Sequence, residues 1–332
     1  MASCTLLRVV VAGASGETGQ SIMAALLAEP AQFKVVALAR HESAGKEVYQ
    51  EMARAGATVE AVDFCDVETL AARLVAADVV ISCLLPLQRV ESETLIDAAH
   101  RASVGRFVPS FFSTIMPPRG IMEVRDVRED LLDRCKLIYL PYTVIDAGSW
   151  YQISLPPPYA PPPPLATTVI GDGDIPTAMI DKADIGPYVA RIIADPQTLN
   201  RFVFVYGEVT TLNGIWTEVE TATGEAVPRD SISVVDLEAR IAALRSSVTA
   251  DPTNVGLVLD LAMGQYLHSR HVRGDNTPDR AKYLGYLDCK ILYPDVKCKS
   301  LHAYIREVVD GKRDYSVYVG RDVVADATQH RD

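Results

Sequence analysis

The residues with spacing suited to chemistry begin with a glycine cluster. Gly13-Ala-Ser15-Gly16-Glu17-Thr18-Gly19 follows an apolar run, Leu7 to Ala12, that reads as a buried parallel strand. An amphipathic helix follows, with Ile22, Met23, Leu26 and Leu27 on one face, then a second apolar strand from Phe33 to Leu38. In such a βαβ unit, Gly13 turns the chain sharply off the strand. Gly16 lets a diphosphate approach the main chain, and Gly19 lets the helix pack tightly. The free amides and the positive end of the helix dipole would receive the diphosphate, with Ser15, Glu17 and Thr18 in the same turn. At the end of the second strand a carboxylate would accept from an NAD ribose. This chain instead carries Arg40-His41, with Arg40 21 residues after Gly19. A guanidinium there suits a 2′-phosphate, so these residues predict NADPH.

The elements that must hold these groups follow in order. The sequence predicts helices around Val48–Ala55, Glu68–Ala76 and Ser92–Ala102, and strands at Thr58–Val62, Asp78–Ser82 and Gly105–Pro109. The expected fold is α/β, a Rossmann-type doubly wound parallel sheet with a smaller C-terminal α/β domain for substrate. Ligands sit at the carboxyl ends of such strands. Asp63 and Phe64 would bound the adenine there, Leu84 would pass the nicotinamide half, and Ser110 would lie on the same rim. The predicted division is residues 1–150 for NADP(H) and 151–332 mainly for substrate, with some segments returning to the sheet. Leu155 to Leu165 holds seven prolines, and such a run predicts a stiff loop beside a pocket.

Composition narrows the function classes. The chain has 332 residues, 48% of them hydrophobic, and a formal net charge of −11. That charge argues against nucleic acid or an anionic membrane as the main partner. No apolar stretch reaches the roughly 18 residues that span a bilayer. The six cysteines show no metal-ligand spacing and no CxxC pair, as expected of reduced thiols in a cytoplasmic protein. MASCTLLR runs straight into the first strand, which predicts no signal peptide. Monomer and homodimer are equally compatible with the sequence.

Further blocks along the chain resemble the isoflavone reductase-like branch of the NmrA-like proteins, which are atypical short-chain dehydrogenases. Phe107-Val-Pro-Ser-Phe-Phe-Ser113 resembles F-[IV]-P-S-E-F-G, and Leu140-Pro-Tyr-Thr-Val144 resembles G-I-P-Y-T. Asp184-Ile-Gly186 and Asp195-Pro-x-Thr-Leu-Asn200 resemble two further family blocks. His268-Ser-x-x-Val-x-Gly-Asp275 resembles H-S-x-F-V-K-G-D, and Leu292-Tyr-Pro-Asp-Val-Lys297 matches L-Y-P-D-V-K. The resemblance implies NADPH-dependent reduction of an aromatic or phenolic small molecule, in specialised metabolism, without a metal.

The departures from that pattern bear on mechanism. Counting back 13 residues from Pro141, where the family has its catalytic lysine, reaches Arg128; a three-residue shift reaches Arg125. Arginine keeps a cation for a developing oxyanion but is a poor proton carrier. Arg128 therefore reads either as an electrostatic clamp or as a surface partner of Glu123 or Asp130. The family's glutamate is Phe111 here and its glycine is Ser113. His268 and Tyr142, at family-matched positions, are the remaining candidates for proton transfer. The fifth-helix region lacks the Tyr-x-x-x-Lys pair of short-chain dehydrogenases, and neither Tyr139 nor Tyr142 has a lysine four residues on. The missing lysine leaves two other readings open. One is an NADP(H)-binding sensor; the other is a non-redox isomerase, cyclase or dehydratase.

Overall fold

A computed structural model describes residues 6–159, 168–313 and Val317. Its centre is a run of parallel strands: β1 Leu7–Ala12, β2 Phe33–Arg40, β3 Thr58–Val62, β4 Val79–Ser82 and β5 Arg106–Val108, in the order β3-β2-β1-β4-β5. A bridge between Phe107 and Tyr142, with the Phe107 amide donating to the Pro141 carbonyl at 2.7 Å, carries the pairing on to β6 Thr143–Ala147. Three short strands follow in the chain, β7 Ser149–Trp150, β8 Val169–Ile170 and β9 Thr177–Ile180. β10 Arg201–Val205 then returns beside β6, and Leu287–Asp288 pairs beyond it, both in parallel register.

Strand periodicity explains the two layers around this sheet. In β1, Val9 and Val11 face one way and Val10 and Ala12 the other, as the two-residue repeat of a strand requires. The first pair packs under Ile22, Met23 and Leu26 of α1, Glu17–Leu27, and under the helix Ile185–Ala194. The second pair packs under Leu70 and Leu74 of the helix Val67–Leu74, Leu95 and Ile96 of Arg89–Arg101, and Leu131 of Glu123–Leu137. Burial on both faces explains why these strands are apolar throughout.

Gly186 shows how closely the first layer is packed: a Cβ there would lie 2.1 Å from the Ser21 carbonyl oxygen of α1. The Asp184-Ile-Gly186 block thus marks a helix–helix contact. A separate core gathers Trp216, Leu237, Leu261 and Tyr304. It joins the helices Leu212–Thr223, Val234–Ala250, Val255–His271 and Leu301–Val309. Thr211, Ser233, Asn254 and Ser300 each cap one of these four, their side chains accepting a backbone N–H of the first turn.

β2 runs two residues beyond the predicted Leu38, so Arg40 is its last residue. In the proline run Leu155–Leu165, only residues through Tyr159 and none of 160–165 are described; the expected stiff loop largely lies outside the described residues. Among the described residues, no helix is long and apolar enough to cross a membrane.

Candidate functional site

A cleft of about 1610 Å³ runs along the carboxyl ends of the strands. One end is the glycine turn. Gly13 has φ +74°, and a Cβ on it would meet the Cys83 carbonyl oxygen at 2.7 Å, so the turn from β1 into α1, lying against the end of β4, needs glycine. A Cβ on Gly19 would lie 2.3 Å from the Gly13 carbonyl oxygen, so α1 begins hard against the turn. Gly16 is the N-cap of α1 and supplies no side chain to its first amides. Gly13, Ser15, Gly16, Glu17, Thr18 and Gly19 all line the cleft. Arg40 and His41 line it at the end of β2, Asp63 and Phe64 after β3, Leu84 after β4 and Ser110 after β5. Together these residues fit a phosphorylated dinucleotide: a close-approach turn, uncapped helix amides and a guanidinium at the second strand end.

Two charged side chains complete this end. Arg40 pairs with Glu42, Nε to Oε1 at 3.2 Å. Lys182, brought in by the segment before the Ile185 helix, forms an ion pair with Glu17 in the first turn of α1. That pairing neutralises a carboxylate which would otherwise repel a diphosphate at the same helix end.

Toward the other end the wall comes from distant parts of the chain. Arg128 Nη1 donates to Ser113 Oγ at 2.6 Å and to the phenolic oxygen of Tyr266 at 3.2 Å. All three residues line the cleft. Two departures from the family pattern, an arginine for lysine and Ser113 for glycine, are therefore in contact. Burial alone would raise the Tyr266 phenol, but the adjacent Arg128 cation and hydrogen bonds from Ser113 and Arg128 bring it below the ordinary tyrosine value. Beside it, Arg270 donates to the Tyr266 carbonyl oxygen at 3.3 Å and to Ser149 Oγ.

The structure separates the two candidate arginines. Arg125 is buried, with Nε 2.8 Å from Glu129 and Nη1 2.8 Å from Asp146, its guanidinium 4.5 Å from the centre of the Phe111 ring. Phe111, where the family has glutamate, serves that packing. Arg128 is the one that faces the cleft. The surface partners considered for it are engaged elsewhere, Glu123 with Arg245 and Asp130 with Arg89 and Arg119.

Two of the expected catalytic residues, Tyr142 and His268, do not line the cleft. Tyr142 is not in the cleft; its amide donates to Asn200 Oδ1 at 3.0 Å and its ring meets Phe202 edge-on at 6.3 Å, so it packs where β5 joins β6. His268 is also outside, its Nε2 3.1 Å from Glu238 of the neighbouring helix. Residues two apart on a helix point about 200° apart, so the side of Val255–His271 that carries Tyr266 turns His268 away. Tyr266 escaped the sequence reading because the family block begins at His268, two residues too late. The helical period of Met263, Tyr266 and Arg270 was the available signal.

The strand order, the glycine turn and the helix amides define a Rossmann-type dinucleotide fold. Residues 7–120 match the NmrA-like family. The chain is 36% identical to asnovolin J 5′,6′-dehydrogenase of Aspergillus novofumigatus, over 96% of this chain and 100% of that protein. It is 28% identical to an isoflavone reductase homolog of Zea mays, over 90% and 97% of the two chains. The leucoanthocyanidin reductase–NADPH complex of Vitis vinifera superposes with a TM-score of 0.76 at 20% identity, over 91% of this chain and 99% of that one. AtPrR2 with NADP⁺ and (+)pinoresinol gives 0.74 at 23% identity, over 91% and 98%. The chain belongs to the NmrA-like family, in its isoflavone reductase-like branch.

Proposed function

We propose that this chain is an NADPH-dependent oxidoreductase that moves hydride between the nicotinamide and an aromatic or phenolic small molecule of specialised metabolism. The supporting observation is the continuity of one cleft from the glycine turn and Arg40 to the Ser113–Arg128–Tyr266 group. Its relatives include phenylcoumaran benzylic ether reductase Betv6 of Betula pendula, 24% identical over 91% of this chain. The division of labour is near residue 150, with later segments both returning to the sheet and walling the substrate end.

NADPH supplies the hydride. The turn from Gly13 to Gly19 would hold the diphosphate on main-chain amides, and Arg40 would pair with the 2′-phosphate. His41 would add to that end, Asp63 and Phe64 would bound the adenine, and Leu84 and Ser110 would border the nicotinamide half. Arg128 stabilises negative charge that develops on the substrate oxygen. Tyr266 gives the balancing proton from its hydroxyl, a task arginine cannot perform. Ser113 fixes the guanidinium toward Tyr266.

The test is turnover. The purified protein is titrated with NADP⁺ and NAD⁺ by calorimetry. It is then assayed for loss of reduced-nicotinamide absorbance against enones, isoflavonoids and phenols that form quinone methides. Preference for NADP⁺ and consumption of NADPH with one such class are expected. Tight NADPH binding with complete inertness across the panel would instead indicate a sensor. Substrate conversion without net NADPH loss would indicate a non-redox enzyme.

A further inference from the structure

The substrate end of the cleft concentrates positive charge in a chain whose formal net charge is −11. Arg270 is 6% exposed and lines the cleft. Its two hydrogen bonds go to neutral acceptors, the Tyr266 carbonyl and the Ser149 hydroxyl, and among the described residues it forms no ion pair. Arg128 also bonds only to hydroxyls, and its Nε is buried without an acceptor. One turn of the helix Val255–His271 thus carries Tyr266 and Arg270 on one face, and that face shares the cleft wall with Arg128.

The nearby carboxylates are committed elsewhere. Glu129 and Asp146 pair with Arg125, Glu123 with Arg245, and Asp275 with Arg273. Asp260 lines the cleft on the same helix as Arg270, but about 15 Å away along its axis. The contrast with Arg106 is instructive. That buried arginine lies outside the cleft, and its hydrogen bonds to Ile192, Thr198 and Asp195 come from both terminal nitrogens. Arg270 uses only Nε and Nη1 and leaves its other terminal nitrogen for a ligand. Burial pulls its guanidinium down to about 10, against the raising effect of Tyr266, as happens to a cation enclosed without a counter-charge.

We propose that the substrate carries a carboxylate, received by Arg270, and that Trp150, Leu259 and Met263 enclose its apolar body. The cost of burying an uncompensated cation is relieved when a carboxylate accepts a charged N–H bond from the terminal nitrogen left free. This specifies the substrate class of the site assigned above, and it rests on that reading for the position of the reacting atoms.

The probes are 4-hydroxybenzoate and its methyl ester, equal in ring and differing in charge. Each is titrated by calorimetry into the full-length protein, with and without saturating NADP⁺. The acid is expected to bind about tenfold or more tightly than the ester, with weakening as salt is raised, while the ester is salt-insensitive. Arg270→Met is expected to remove the difference, and Arg270→Lys to retain part of it. Equal binding of acid and ester, no measurable binding of the acid, or a preference that survives Arg270→Met overturns the proposal. Should the Met variant fail to fold, the acid-to-ester ratio and salt dependence of the unmodified protein decide alone. The NADP⁺ titration is read separately, so failure of the cofactor assignment is distinguishable from failure of the arginine site.

Discussion

Arg128 and Tyr266 lie 138 residues apart in sequence, yet the arginine Nη1 is 3.2 Å from the tyrosine hydroxyl oxygen. Burial is the largest single influence on Tyr266 and raises it, but the Arg128 cation and the hydrogen bonds from Ser113 and Arg128 together outweigh it and favour the phenolate. If Tyr266 donates the proton, reduction needs the neutral phenol. The rate should therefore fall as pH rises through the phenol's own pKa. Arg128→Gln removes the cation, raises that pKa and should move the alkaline limb to higher pH. Tyr266→Phe should lower kcat by about 10²–10⁴ and abolish the limb. The pH profiles of kcat for the three proteins check this, and an unchanged limb in Tyr266→Phe would sink the assignment.

Arg125 and Arg128 should separate by phenotype. Arg125→Met leaves Asp146 and Glu129 buried without their cation and should cost about 3–5 kcal/mol of stability. Arg128→Met gives up no ion pair to the protein and should change stability by less than about 2 kcal/mol while turnover drops sharply. Urea melts beside initial rates measure both. The opposite pattern would mean that the two roles have been exchanged.

Arg40→Ala should weaken NADP⁺ binding by about 1–3 kcal/mol and NAD⁺ binding much less, because only the former offers a 2′-phosphate. Parallel calorimetric titrations of both dinucleotides provide the comparison. Equal weakening would remove Arg40 from the phosphate site.

Lys182→Ala should weaken NADP⁺ and NAD⁺ alike, since it removes a cation paired with the Glu17 carboxylate at the helix end proposed to meet the diphosphate. The double variant Glu17→Gln with Lys182→Ala should recover most of the loss. A double-mutant cycle on the dissociation constants reads the coupling. Additive losses would show that the pair does not act through its charge.

Local pattern in the chain was enough for the glycine turn, the five leading strands and the position of Arg40 near a strand end. These depend on contacts between near neighbours: a two-residue alternation in strands, a helical period in α1, and a glycine at 19 whose Cβ would strike the carbonyl of Gly13. The substrate end was not legible in the same way. Arg125 and Arg128 share one helix, and only the arrival of Asp146 and Tyr286 against one, and of Tyr266 against the other, distinguishes them. Tyr266 and His268 likewise share a helix, and packing against Glu238 on its neighbour sets which of them meets the cleft. A sequence fixes which residues share a face of their own element. Which distant element that face meets depends on burial summed over the whole chain, so the pairing of Arg128 with Tyr266 is a property of the tertiary structure alone.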